Sequence, residues 1–152
     1  MTARPVPFDT SIYIPHLRGE AYTALIGNAA RSARVRLSAV VLAELYAGTR
    51  SPRDKADLDI VRRGYQSLGF LAVPDAEDWA RAGQAIRRYR HVYGDIEPRA
   101  HLKDVLILLC GARIGAEVVT ENAAPSTRWA VLFRRMGFPV RVRKVRREDH
   151  RD

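Results

Sequence analysis

Short apolar runs alternate with helix-patterned segments along the whole 152-residue chain. "PVPF", "RVRL", "FLAV", "AEVVTEN" and "FPVRV" read as strands, and each pair is separated by one or more helical stretches. Consecutive strands joined through helices are parallel neighbours reached by crossover connections. The expected fold class is therefore α/β, with a central, mainly parallel sheet covered by helices on both faces. Local signals set the boundaries. Thr10 or Ser11 caps the first helix, Ser38 caps "AVVLAELYAG" with Gly48 at its end, and Ser51-Pro52 opens the next helix. Asp75 with Asp78 opens "DAEDWARAGQAIRRYRHVY", "AHLKDVLILLCGARIG" is helical and nearly apolar all round, and "STRWAVLFRRMG" is the last helix. Pro5 and Pro7 each lack a ladder donor, so the first strand is only a few residues long. One domain over residues 1–142 is expected, followed by a frayed, charged tail, "VRKVRREDHRD" less its first residue, at 143–152.

Ligands on parallel sheets bind outside the carboxyl ends of the strands. Asp9 lies there, just past the first strand. Glu44 is the only ionisable side chain in "LSAVVLAEL", and its helical neighbours are Val40, Val41, Ala47 and Gly48. Asp104 heads one of the most apolar runs of the chain, with Ala100, His101, Ile107 and Leu108 around it and neither Lys nor Arg among them. Each acid alone also reads as a cap, a surface group or the partner of a distant cation. Asp9 in particular can cap the following helix. Three together at element boundaries or on apolar faces are what a hard divalent cation needs, since Mg²⁺ takes one or two carboxylates plus waters and phosphate oxygens. Such an ion activates water and neutralises charge on a cleaved phosphodiester.

The net charge of +9 favours an anionic partner, most commonly nucleic acid. Arg87, Arg88 and Arg90 interleave with Tyr89 in "IRRYRHVY", a pattern that suits phosphate contact and base stacking as well as a solvated helix face. Other chemistries fit less well. His16, His91, His101 and His150 lack zinc-ligand spacing, and the single cysteine, Cys110, sits in an apolar run. There is no glycine-rich phosphate loop and no G-x-S-x-G elbow, and an Asp-x-Asp phosphotransfer pair would need aspartate where Ser11 stands. "VLILLCGA" is too short for a bilayer span of about 20 residues. With no signal-peptide core at the N-terminus, a soluble protein of a reducing, cytoplasmic compartment is expected.

"FDTSIYI", "LSAVVLAELYAG" and "LKDVLILLCGARIGAEVVTEN", in that order and spacing, resemble a PIN domain, in particular the VapC-type toxin ribonucleases of toxin–antitoxin pairs. The likeness covers Phe8 to Val142. It implies a three-layer α/β/α sandwich and a metal-dependent endoribonuclease binding Mg²⁺ or Mn²⁺ through Asp9, Glu44 and Asp104. It also implies products with a 5′-phosphate and a 3′-hydroxyl. A supporting hydroxyl matches Thr10 or Ser11, and a polar residue after the fourth strand matches Thr120 or Asn122. Many relatives carry a fourth acid where this chain has Pro125; Glu121 is the nearby candidate to replace it, but a strand alternates faces, so it need not point the same way as Thr120. The partners implied are RNA, a cognate antitoxin docked on the early helices, and a second copy of the chain. The alternative is a PIN-like RNA-binding or interaction module with an impaired site.

Overall fold

The computed structural model describes residues 3–152. Five strands and seven helices alternate as β1 (Val6–Pro7), α1 (Thr10–Leu17), α2 (Thr23–Arg31), β2 (Val35–Ser38), α3 (Ala39–Ala47), α4 (Pro52–Ser67), β3 (Leu71–Ala72), α5 (Ala76–Tyr93), α6 (Pro98–Arg113), β4 (Glu117–Thr120), α7 (Ala123–Arg135) and β5 (Arg141–Lys144), with a closing 3₁₀ turn at Arg147–His150. β1, β2 and β3 pair in parallel, as do β4 and β5. A parallel bridge from Phe8 to Val119 joins the two sets, so the strand order is β3–β2–β1–β4–β5. β1 is two residues long, as its prolines dictate. This is the expected α/β/α arrangement, with α5, α6 and α7 packed on one another and α3 touching α1, α4 and α6.

The later caps read from the sequence are in place, whereas the first helix is capped by Asp9 and not by Thr10 or Ser11, which lie inside it. Ser38 accepts from the Val40 amide, Ser51 from the Asp54 amide, and Asp75 and Asp78 close a reciprocal capping box. α6 is buried without interruption from Val105 to Gly111. A β-carbon on Gly111 would stand 2.6 Å from Val118 Cγ2, so this glycine lets α6 lie close against β4. Gly115, on the same helix face by spacing, acts differently: it takes a φ of +63° in the turn into β4 and has open space around it.

Three further expectations are corrected. α7 begins at Ala123, not Ser126, because proline is tolerated in the first turn of a helix, where its missing N–H has no partner to lose. The last strand begins at Arg141 rather than Phe138, and the tail after it is not frayed. α2 starts at Thr23 after Tyr22 in the left-handed region, and Tyr22 offers no side-chain cap. The tail supplies the acceptors that this helix start lacks. The Tyr22 amide donates to the His150 carbonyl at 2.7 Å, and the Thr23 amide and hydroxyl donate to the Asp152 carboxylate at 3.0 and 2.6 Å. Arg147 grips Glu121 through two bonds of 2.9 and 3.1 Å.

Burial pushes the Glu121 carboxyl up, but hydrogen bonds from Arg147 and the Tyr22 hydroxyl outweigh it, so its pKa lies below the ordinary value of 4.5. A depressed acid contributes stability that is present above the ordinary value and lost as pH falls through the folded one. Hydrogen exchange at the Tyr22 and Thr23 amides should therefore accelerate as pH is lowered below 4.5, after correction for intrinsic exchange. In Glu121→Gln that pH dependence should flatten; an unchanged profile would show that the clamp does not hold the tail.

Candidate active site

Asp9 follows β1 where the chain turns into α1, and it is the N-cap of that helix. Its Oδ1 accepts from the Ser11 amide at 2.9 Å and from the Ser11 hydroxyl. The capping reading of Asp9 is thus correct, and it does not exclude a role at the sheet edge. Burial raises the Asp9 carboxyl above its ordinary value. The Ser11 and Thr120 hydroxyls and the Ser11 amide work against that rise, and the negative charge of Asp104 adds to it. Thr120 ends β4, is buried, and also accepts from the Asn122 amide at 3.0 Å. The Ser11 hydroxyl takes a further bond of 3.0 Å from the Glu121 amide, which ties α1 to the end of β4.

Glu44 projects from α3. Of the readings the sequence leaves open, the distant cation is the one found: Thr10 donates to Glu44 Oε2, and Lys103 Nζ lies 2.5 Å from Glu44 Oε1. The cation comes from 59 positions away, a distance over which helical neighbour rules say nothing. Asp104 is the acid that stays unpaired. It is half-buried and, among the described residues, accepts no hydrogen bond and makes no ion pair. Burial raises its carboxyl above the ordinary value, the Glu44 charge adds to the rise, and Lys103 and His101 oppose it. Asp104 thus acts on Asp9 through its charge, and Glu44 acts on Asp104, which links the three acids pairwise near the carboxyl edge of the sheet.

The donor set suits a hard cation that keeps several waters rather than a closed cage. A half-buried carboxylate without donors is unstable as an isolated anion and gains from a cation. Among the described residues, no three carboxylate, imidazole or thiolate groups already converge to hold an ion. Lys103 neutralises Glu44 in their stead. Removing it should free Glu44 for a divalent cation, so Lys103→Met should bind Mn²⁺ roughly two- to fivefold more tightly in calorimetric titration, from a part-exposed pair worth about 0.5–1 kcal/mol. Weaker binding in the variant would mean that Lys103 supports the cation site instead of competing for it.

The remaining predicted residues divide. Thr10, Ser11 and Thr120 lie at the acids. Glu121 is already engaged, its carboxylate accepting from Arg147 and from the Tyr22 hydroxyl at 2.6 Å. Strand alternation sends it to the other face from Thr120. Asn122 is exposed and leaves α7 without a side-chain cap, and Pro125 is exposed in the first turn of that helix. On α5, Arg87 and Arg88 are exposed, whereas Arg90 pairs with Asp95 at 3.2 Å. Tyr89 is half-buried, its ring centroid 4.5 Å from Trp129 and 4.7 Å from Tyr93, so it is not the free stacking surface that the sequence suggested. Its aromatic cluster includes His101, one turn before Asp104. Neither Lys103 nor His101 was singled out from the sequence. The only signal for either was adjacency to Asp104.

Two apolar clefts flank the early helices. One, of about 470 Å³, opens beside Glu44 between α1, α3 and α4 and is lined by Ile14, Leu17 and Leu58. The other, of about 320 Å³, is lined by Tyr13, Val61 and Phe70 and rimmed by the exposed Ile60 and Leu68.

The PIN domain family matches residues 7–126. No curated protein sequence matches the chain. Among solved structures, the fold is similar to VapBC2 from Rickettsia felis bound to a DNA fragment from its promoter, with a TM-score of 0.61 and 19% identity over 93% of this chain and 98% of the other. It is equally similar to DNA-bound VapBC from Salmonella typhimurium, again with a TM-score of 0.61 and 19% identity over 93% and 98% of the two chains. VapBC-1 from nontypeable Haemophilus influenzae gives a TM-score of 0.57 and 14% identity over 91% of this chain and 96% of the other. At these identities the likeness is one of fold.

Proposed function

This chain belongs to the PIN domain family, and on that premise we propose that it is a metal-dependent endoribonuclease, the toxin of a toxin–antitoxin pair. The observation that supports the reading is Asp104, a half-buried acid without a hydrogen bond or ion pair among the described residues, whose charge acts on Asp9 and which feels that of Glu44, near the sheet edge where ligands bind. Asp9, Glu44 and Asp104 would hold Mg²⁺ or Mn²⁺, directly or through water. Bound there, such an ion supplies activation of water and neutralisation of charge on the phosphodiester.

The chain's own groups do the positioning. Thr10 fixes one oxygen of Glu44, and Ser11 fixes Asp9 while anchoring β4 through the Glu121 amide. Asp104 keeps its acceptor capacity and has a carboxyl raised by burial, which suits a group that takes a proton from attacking water. Attack by water in line with the 3′ oxygen would break the P–O3′ bond and leave a 5′-phosphate and a 3′-hydroxyl, the products that the family resemblance implies.

Two partners follow from the same reading. The apolar clefts beside Glu44 and along α4 suit a segment of a cognate antitoxin that covers the acids, and the exposed apolar residues of α4 suit a second copy of the chain. The structural neighbours are VapBC proteins, which agrees with this proposal. Among the described residues, no helix is long and apolar enough to cross a membrane.

A second reading has its own support. Pro125 stands where many relatives carry an acid, and Lys103 already occupies Glu44, as in an RNA-binding module with an impaired site. RNA and single-stranded DNA of the same sequence, offered to the protein with Mg²⁺, with Mn²⁺ and with chelator, separate the readings. The nuclease reading expects RNA cleavage that chelator stops. RNA binding without cleavage under every condition would replace it with the binding-module reading.

A further inference from the structure

At the edge of the sheet opposite the three acids lies a second cleft, of about 580 Å³. It is formed by the ends of α6 and α7 and by the turns that lead into β4 and β5, so the four-residue strand β4, roughly 13 Å long, separates it from the acids. Arg4, Arg81, Arg113, Arg134 and Arg141 line it, over a floor that includes Leu109 and Phe138, and no carboxylate does.

These arginines are not equivalent. Arg113 is committed to Asp75 and Asp78, at 3.3 and 2.9 Å, and to the Val73 carbonyl. Arg81 lies 3.5 Å from Glu77, with its guanidinium over the Phe138 ring. Arg4, Arg134 and Arg141 have no ion pair and no side-chain hydrogen bond among the described residues. A cation in the last turn of a helix is ordinarily explained by the helix dipole, and that accounts for Arg113 and Arg134. It does not account for Arg4 before β1 or Arg141 at the start of β5.

A concave, acid-free surface concentrates the field of such charges. Guanidinium groups with free donors match phosphate oxygens in pairs. The volume falls in the range of nucleotide-sized ligands.

We propose that this cleft is a phosphate-binding site for nucleic acid, separate from the acidic edge and taking the backbone of an RNA strand. It rests on the nuclease reading only for the identity of that strand. The chemistry it offers, several guanidinium donors over an apolar floor, also serves the phosphates of a free nucleotide. The test distinguishes the two sources.

The experiment is a fluorescence-anisotropy titration of a fluorescein-labelled single-stranded RNA in EDTA, so that no turnover enters, repeated across a salt series. Wild type is compared with Arg4→Gln/Arg141→Gln and with Arg53→Gln/Arg63→Gln, which removes the same charge from the exposed face of α4. Calorimetric titration with ATP in EDTA forms the second arm. All three proteins are first matched by thermal melting. The cleft variant should bind RNA more weakly and lower the slope of log K against log salt by about 1.4, which is about 0.7 for each lost contact to a single strand. The α4 variant should change it little. ATP binding lost in the cleft variant, with RNA binding intact, would retain the phosphate site and assign it to a free nucleotide. Equal losses in both double variants, or none in either arm, would overturn the proposal. So would binding of poly-glutamate with neither RNA nor ATP bound, which would give the cleft to an acidic peptide. Because nothing here depends on cleavage, a protein that never cuts RNA can still pass, and an active nuclease can still fail.

Discussion

Asp104→Asn should lose RNA cleavage by at least about a hundredfold while keeping its fold. Asparagine has nearly the same size and shape, so α6 packs as before. What disappears is the negative charge and one acceptor set. A positioned base alone is worth about 10²–10⁴ in rate, and loss of a carboxylate that on the proposed reading would also hold a cation adds to that. The sign of the stability change separates this outcome from unfolding. Burial raises the Asp104 carboxyl above its ordinary value, so the ionised form is disfavoured in the folded protein at neutral pH. Removing the charge should leave the melting temperature unchanged or raise it. A variant that loses cleavage and also melts much earlier would point to a structural role for Asp104.

Trp129→Ala should strongly destabilise the fold. The ring is 1% exposed, and it joins α7 to α5 and α6 through Tyr89, at a centroid distance of 4.5 Å, and His101, at 6.0 Å. Large aromatic-to-alanine changes cost about 3–5 kcal/mol, against a total stability of about 5–15 kcal/mol for a domain. A fall in melting temperature of roughly 10 °C is expected by circular dichroism. Trp129→Phe should recover much of it, because the cavity left is smaller. If alanine were tolerated within about 1 kcal/mol, the packing of Trp129 against α5 and α6 would contribute little to the fold.

What the sequence discloses here depends on range. Ser38, Ser51 and the Asp75–Asp78 pair act on amides two or three residues away, so pattern and spacing reveal them. The positions of Asp9 and Asp104 follow from the ends of strands and the polarity of one helix face. Lys103 on Glu44 could not be read, because a flexible side chain crosses between two helices that only the sheet brings together. Nor could the docking of the tail, in which Asp152 and His150 serve a helix start about 130 residues earlier, at Tyr22 and Thr23. Its arginines suggested RNA contact or solvation equally, whereas the free amides of α2 gave the segment a place to bind. Glu121 lay between these cases. Alternation along β4 said that it need not face Thr120, but only the structure supplied Arg147 and Tyr22 as its partners.

One comparison bears most directly on the carboxylate trio: cleavage of RNA in Mg²⁺ by wild-type protein, by the same protein in EDTA, and by Asp104→Asn purified identically. The account predicts cleavage in the first sample alone. Equal cleavage by wild type and variant would mean a contaminating nuclease or a site elsewhere. Inertness of all three on varied RNAs would leave Asp9, Glu44 and Asp104 without catalytic function.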